Sequence, residues 1–84
     1  MDQITPGMLA YSRAGHDKDT LYYIVKADKK SVWLSDGRLK KVENPKRKNL
    51  HHVQVIHKGT EKPTENLSNE MIRRIIKLYL RKEL

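Results

Sequence analysis

The sequence predicts a mainly β fold, a small five-stranded barrel followed by one C-terminal amphipathic helix, and three observations predict it. Between residues 8 and 56, short aromatic and β-branched runs alternate with Gly, Asp, Asn and Pro turn signals. After residue 68 the apolar side chains recur at helical spacing instead. The chain has 84 residues, and a domain of that size buries only about 60% of its unfolded surface, so one small core is all it can build. Closing short strands into a barrel removes most of the exposed edges such a sheet would present.

Residues 8–12 form a brief first strand, and Gly15 follows in a loop where positive φ is accessible. Leu21-Tyr22-Tyr23-Ile24-Val25 is the strongest strand signal. Asp28-Lys29-Lys30 reads as a turn into Ser31-Val32-Trp33-Leu34-Ser35. Asp36-Gly37 reads as a tight hairpin turn, leading to a short strand over residues 39–42. Asn44-Pro45 interrupts this strand, and residues 50–56 supply the last one. Residues 59–68 carry Gly, Pro, Thr and charges and read as a linker between a barrel of residues 1–58 and a helix of residues 69–84. Ser68 is the expected N-cap, with Glu70 in the first turn. Ile72, Ile75, Ile76, Tyr79 and Leu80 form the apolar stripe, extended by Met71 and Leu84, and Arg73, Arg74, Lys77, Arg81 and Lys82 fall largely opposite it.

Charge is unevenly distributed. The formal net charge is +8, yet residues 1–37 are neutral, residues 38–58 carry +6, residues 59–68 carry −1 and residues 69–84 carry +3. Such a concentration of cations exceeds what solubility requires and points to a polyanionic partner, most simply nucleic acid. The absence of cysteine excludes disulfide scaffolds, thiol nucleophiles and cysteine-based zinc sites. Residues 1–6 have neither the basic start nor the apolar run of a secretory signal, and no stretch reaches the eighteen or so apolar residues of a membrane span, so a cytoplasmic location is expected.

The run Pro6-Gly7-Met8-Leu9-Ala10-Tyr11-Ser12-Arg13-Ala14-Gly15-His16-Asp17-Lys18 resembles a KOW motif, a strand and loop with a central glycine. The likeness continues through residues 21–25, Trp33-Leu34-Ser35-Asp36-Gly37, and the basic stretch ending in Leu50-His51-His52-Val53. Over residues 4–56 the pattern is similar to bacterial KOW-domain RNA-binding proteins and, through them, to a family of large-subunit ribosomal proteins of archaea and eukaryotes. It departs at Asp19, where many KOW motifs carry glycine. The resemblance implies an SH3-like barrel and RNA binding, with ribosomal RNA as the target.

Arg13, Gly15, His16 and Lys18 are candidate contacts from the glycine loop, with Asp17 and Asp19 partly cancelling their charge. Arg38, Lys40, Lys41, Lys46, Arg47 and Lys48 form the main cationic segment; Lys and Arg neutralise phosphates, and Arg also bonds bidentately. His51 and His52 are polar or stacking contacts beside it, while His51, His52 and His57 lack a carboxylate or cysteine to complete a metal site. Strand alternation groups Trp33 with Tyr22 and Ile24 in an outward patch, either a dock for the helix or, for Trp33, a surface for stacking on an RNA base.

The expected function is therefore non-catalytic binding of structured ribosomal RNA in translation or ribosome assembly, with no cofactor. No Ser/His/Asp set, phosphate-cradling glycine loop or carboxylate pair suggests an enzyme. The alternative is an SH3-like interaction module, docking on the transcription or translation machinery through Ile72, Ile75, Ile76 and Tyr79. Double-stranded DNA binding is a third reading, and membrane-surface anchoring by the helix ranks last.

Overall fold

The computed structural model describes residues 4–56 and 67–83. Five strands, β1 (Leu9–Ser12), β2 (Leu21–Ala27), β3 (Ser31–Ser35), β4 (Lys46–Asn49) and β5 (Val53–Ile56), precede one helix, α1 (Asn69–Glu83). All neighbouring strands are antiparallel, in the order β4-β3-β2-β1-β5. In a flat sheet β4 and β5 would lie roughly 19 Å apart, at about 4.8 Å per strand. A 3-10 turn of three residues, Leu50–His52, is all that joins them, and even fully extended such a link reaches only about 14 Å. The sheet must therefore curl until its edges approach, which gives the barrel-like form. The Leu50 amide donates to the Lys30 carbonyl at 2.9 Å and the Arg13 amide to the His52 carbonyl at 2.7 Å, pinning this corner to the β2–β3 turn and the end of β1.

Both faces of the sheet are covered, which explains why residues 21–24 are buried without a break. Ala10, Tyr22, Ile24, Val32 and Leu34 fill the interior, with Met8, Leu50, Val53 and Val55 packed around them. On the outer face Leu9, Leu21 and Tyr23 meet Ile72 of α1, flanked by Ile75, Ile76 and Tyr79. The helix stripe thus covers the face opposite to the expected one. Ile24 pairs with Leu34, placing it with Tyr22 inside the barrel, and a bulge between Ile24 and Lys26 sets Lys26 against Trp33. Trp33 accordingly stands apart from both Tyr22 and Ile24.

Two strand expectations are corrected. Residues 39–42 are loop, because the Asp36 carboxylate captures the amides of Arg38 (2.8 Å) and Lys40 (3.0 Å) while the Ser35 hydroxyl donates to the Lys40 carbonyl at 2.6 Å. Asp36-Gly37 consequently opens a long loop rather than closing a hairpin, and of the two only Gly37 has positive φ. The fourth strand is instead Lys46–Asn49, within the main cationic segment, and Leu50–His52 is the 3-10 turn rather than the start of the last strand.

The helix begins where expected. The Met71 amide donates to the Ser68 hydroxyl at 3.2 Å and the Ile72 amide to the Ser68 carbonyl at 3.1 Å. Its first turn is stitched to the β3–β4 loop: Asn69 accepts from the Val42 amide at 2.7 Å and donates to Glu43, and Arg73 donates to the Gly37 carbonyl at 2.6 Å. Residues 59–66 of the expected linker lie outside the described residues. Among the described residues no helix is long and apolar enough to cross a membrane.

Gly37 links the two parts of the fold. Its φ of 73° is left-handed, and a Cβ there would overlap the Asn69 carbonyl and press on the Arg73 side chain. Replacing Gly37 by Ala should therefore lower unfolding free energy by about 2 kcal/mol, from the φ cost plus overpacking. A urea midpoint equal to that of the parent protein would contradict this placement of α1.

Candidate nucleic-acid interface

The loop of residues 13–20 and strand β4 meet around one carboxylate. Along β4 the side chains alternate, so Lys46 and Lys48 turn toward the interior while Arg47 and Asn49 face outward. Lys48 Nζ donates to Asp17 Oδ1 at 2.7 Å, to Ser12 Oγ at 2.7 Å and to the Ala14 carbonyl at 2.9 Å. Asp17 also accepts from Ser12 Oγ at 2.9 Å, Tyr22 Oη at 2.9 Å and Lys46 Nζ at 3.2 Å. The Lys48 and Asp17 side chains are 9% and 13% exposed, so this pair is nearly sequestered from water.

Lys48 is thereby removed from the phosphate contacts suggested by the sequence. An ammonium has three N–H donors, and all three are engaged internally. Lys46, 37% exposed, is partly neutralised by the same carboxylate. Burial acts to raise the Asp17 pKa, but hydrogen bonds from Lys48, Ser12, Tyr22 and Lys46 outweigh it and hold the carboxyl well below the ordinary carboxylate range. Burial pushes the Tyr22 hydroxyl up, and its hydrogen bond to Asp17 adds to the shift.

The glycine loop is shaped by this cluster. Gly15 has a φ of 87°, and a Cβ on it would lie 3.9 Å from Lys48 Nζ, so its role in the fold is conformational. Asp19 has a φ of 72°, the only positive value among described non-glycine residues. Asp19 thus has a glycine-like backbone, which aspartate tolerates better than most residues.

The remaining candidates fall into separate groups. Arg13 is exposed and donates to Gln54 at 2.6 Å, beside the exposed His51 and His52 of the 3-10 corner. His16, Lys40 and Lys46 line a cavity of about 340 Å³ between the glycine loop and the β3–β4 loop, together with Asp17, Asp36 and Leu39. Lys18 and Lys41 are exposed. Arg38 is also exposed but lines a second cavity, against α1. His57 lies outside the described residues.

One grouping was not anticipated. Trp33 is half-buried, belongs to neither apolar cluster, and lies on the outer face between two cations. Lys26 Nζ is 4.8 Å from its ring centroid and the Arg47 guanidinium carbon 5.9 Å, both within cation–π range. Simple alternation would leave Lys26 on the face of Tyr22 and Ile24, whereas the bulge after Ile24 carries it to the outer face beside Trp33. The arrangement offers an aromatic surface edged by positive charge, able to stack on a planar base while pairing with a phosphate.

No protein-family model matches the chain, and no curated protein matches it either.

The Asp17 cluster makes an acid-side prediction. In the unfolded chain an aspartate titrates near about 3.9, whereas the native carboxyl binds its proton less tightly. The unfolded state therefore takes up more protons in acid, and the stability contributed by Asp17 is present above about pH 4 and lost as pH falls below it. Urea unfolding at pH 6 and pH 3 should show the parent protein losing stability on acidification. Asp17→Asn should be weaker already at pH 6, by about 3 kcal/mol for a broken buried pair, and should lose less on going to pH 3. Equal losses in both proteins would remove Asp17 from the account.

Proposed function

We propose that this protein is a non-catalytic RNA-binding protein of the cytoplasm that contacts structured ribosomal RNA in translation or ribosome assembly. The observation that carries this reading is the Lys26–Trp33–Arg47 group on the outer face, beside an edge strand whose residues 46–48 are all basic. Unpaired RNA bases stack on aromatic rings and guanidinium planes, and flanking cations neutralise the backbone. The ribosomal target comes from the KOW resemblance of residues 4–56, and the formal charge of +8 supports a polyanionic partner.

The exposed cations Arg47, Lys26, Lys41, Arg13 and Lys18 supply the phosphate contacts in this reading, with His51 and His52 beside them. Lys46 and Lys48 act differently: they hold the glycine loop against β4 through Asp17 and so fix the surface on which the others stand. The alternative, a protein-interaction module, required the helix stripe to be free for a partner. Ile72 is fully buried against the sheet and Ile75, Ile76 and Tyr79 pack partly buried around it, which leaves less of the stripe for a partner and favours the RNA reading.

Trp33 is the single tryptophan of the chain, so its fluorescence reports on this face alone. Titration with a structured ribosomal RNA fragment should change the Trp33 emission in step with binding. The double variant Lys26→Glu/Arg47→Glu, whose side chains are exposed, should keep the fold and weaken binding by about tenfold or more, since two phosphate contacts become repulsions. Unchanged affinity in a folded double variant would sink this assignment.

A further inference from the structure

The cationic side of α1 is not simply a solvated face. Between α1 and the β3–β4 loop runs a groove of about 600 Å³, floored by Leu21, Ile76 and Leu80. Arg38, Arg73, Arg74, Lys77 and Arg81 line it, and Asp36 is the one acid among the lining residues. Arg74, Lys77 and Arg81 are spaced by three and four residues, so they form one row on the helix, about 10 Å long at 1.5 Å per residue. Arg73 anchors the opposite side of the groove through its 2.6 Å bond to the Gly37 carbonyl, and the rest of its guanidinium retains donors to offer.

Asp36 also lines the cavity that holds His16, Lys40 and Lys46, so the two cavities flank a single loop. Arg38 faces one of them and Lys40 the other. Leu39 stands between these cations and is 89% exposed, the most exposed large apolar side chain among the described residues. Arg38 and Lys40 therefore stand on either side of the loop that separates the two cavities, with an apolar crest at Leu39.

We propose that this helix groove is a second contact for the RNA phosphodiester backbone, in addition to the Lys26–Trp33–Arg47 face. The inference rests on the RNA-binding reading above and deepens it. Several features favour an RNA backbone over an acidic peptide. Four of the five cations are arginines, whose planar forks bond phosphate oxygens bidentately. The row along α1 sets its three cations on one line about 10 Å long, which a phosphate backbone can follow. The aliphatic floor gives the carbon face of a ribose an apolar surface to cover, and Leu39 can press against an unstacked base at the crest.

The test is a salt titration of binding to one structured ribosomal RNA fragment, for the parent protein and for Arg74→Ala/Lys77→Ala/Arg81→Ala. All three side chains are exposed, and alanine is the best helix former, so α1 should remain folded, which circular dichroism checks. Arg73 is left intact because it holds Gly37. Removing three phosphate contacts should make the slope of log affinity against log salt shallower by about 2 to 3, and lower affinity about tenfold or more at moderate salt. A parent protein that binds, with a folded triple variant of unchanged slope and affinity, would overturn the helix contact and leave the RNA reading intact. In that case polyglutamate, retained by the parent protein and lost by the variant, would assign the groove to an acidic protein segment. A parent protein that binds no RNA at any salt would overturn both.

Discussion

Much of this structure depends on one carboxylate. Asp17 gathers Lys48 and Lys46 from β4, Ser12 from the end of β1 and Tyr22 from β2, and so ties the glycine loop across the interior of the sheet. A buried ammonium without such a partner would be prohibitively costly, and removing one member of a buried pair is far more damaging than losing a surface pair. The same contacts explain why a strand with the sequence Lys46-Arg47-Lys48-Asn49 can lie at the edge of a barrel. Asp17 holds its inward cations from within, and its outward Arg47 faces solvent and the Trp33 ring. An edge strand dense in Lys and Arg also resists pairing with another chain, a common protection for unpaired edges.

Once that edge is fixed, the remaining geometry follows from short connections. The three-residue corner Leu50–His52 forces the sheet to curl, and curling turns Tyr22, Ile24, Val32 and Leu34 inward. Leu9, Leu21 and Tyr23 are then left on the outside, and α1 covers them. The helix has little freedom in where it docks, because Asn69 and Arg73 are bonded to the loop that follows β3 and Gly37 lies directly beneath them. The uncovered part of the outer face is where Lys26, Trp33 and Arg47 meet. Folding thus separates cations with an internal role from cations that remain available, although they are adjacent in sequence.

Much of the fold was legible in the sequence, because apolar spacing and turn chemistry are local. The strands of residues 21–27 and 31–35, the Ser68 cap and the helix are read from neighbours within a few positions. The β4 strand was not legible, since a run of lysine and arginine carries no strand propensity and its alternation becomes meaningful only when Asp17, twenty-nine and thirty-one residues away, is placed beside it. Residues 39–42 have strand-like composition, but the Asp36 side chain captures the amides that a ladder would need. The bulge after Ile24 sets Lys26 on the face opposite Tyr22 and Ile24, which parity counting along β2 cannot foresee. For the candidate site, the densest charge is legible in the sequence itself. What it could not do was separate Arg47 from Lys48, because that distinction is one of pleat direction and burial.

The central claim, that the exposed cations and Trp33 engage RNA, is tested most directly in native cells by ultraviolet crosslinking, with sequencing of the attached RNA and mapping of the crosslinked peptide. The account predicts strong enrichment of RNA over background, a sharp peak within large-subunit ribosomal RNA, and crosslinks on the peptides that carry Trp33 or Arg47. RNA recovery no higher than background would contradict it.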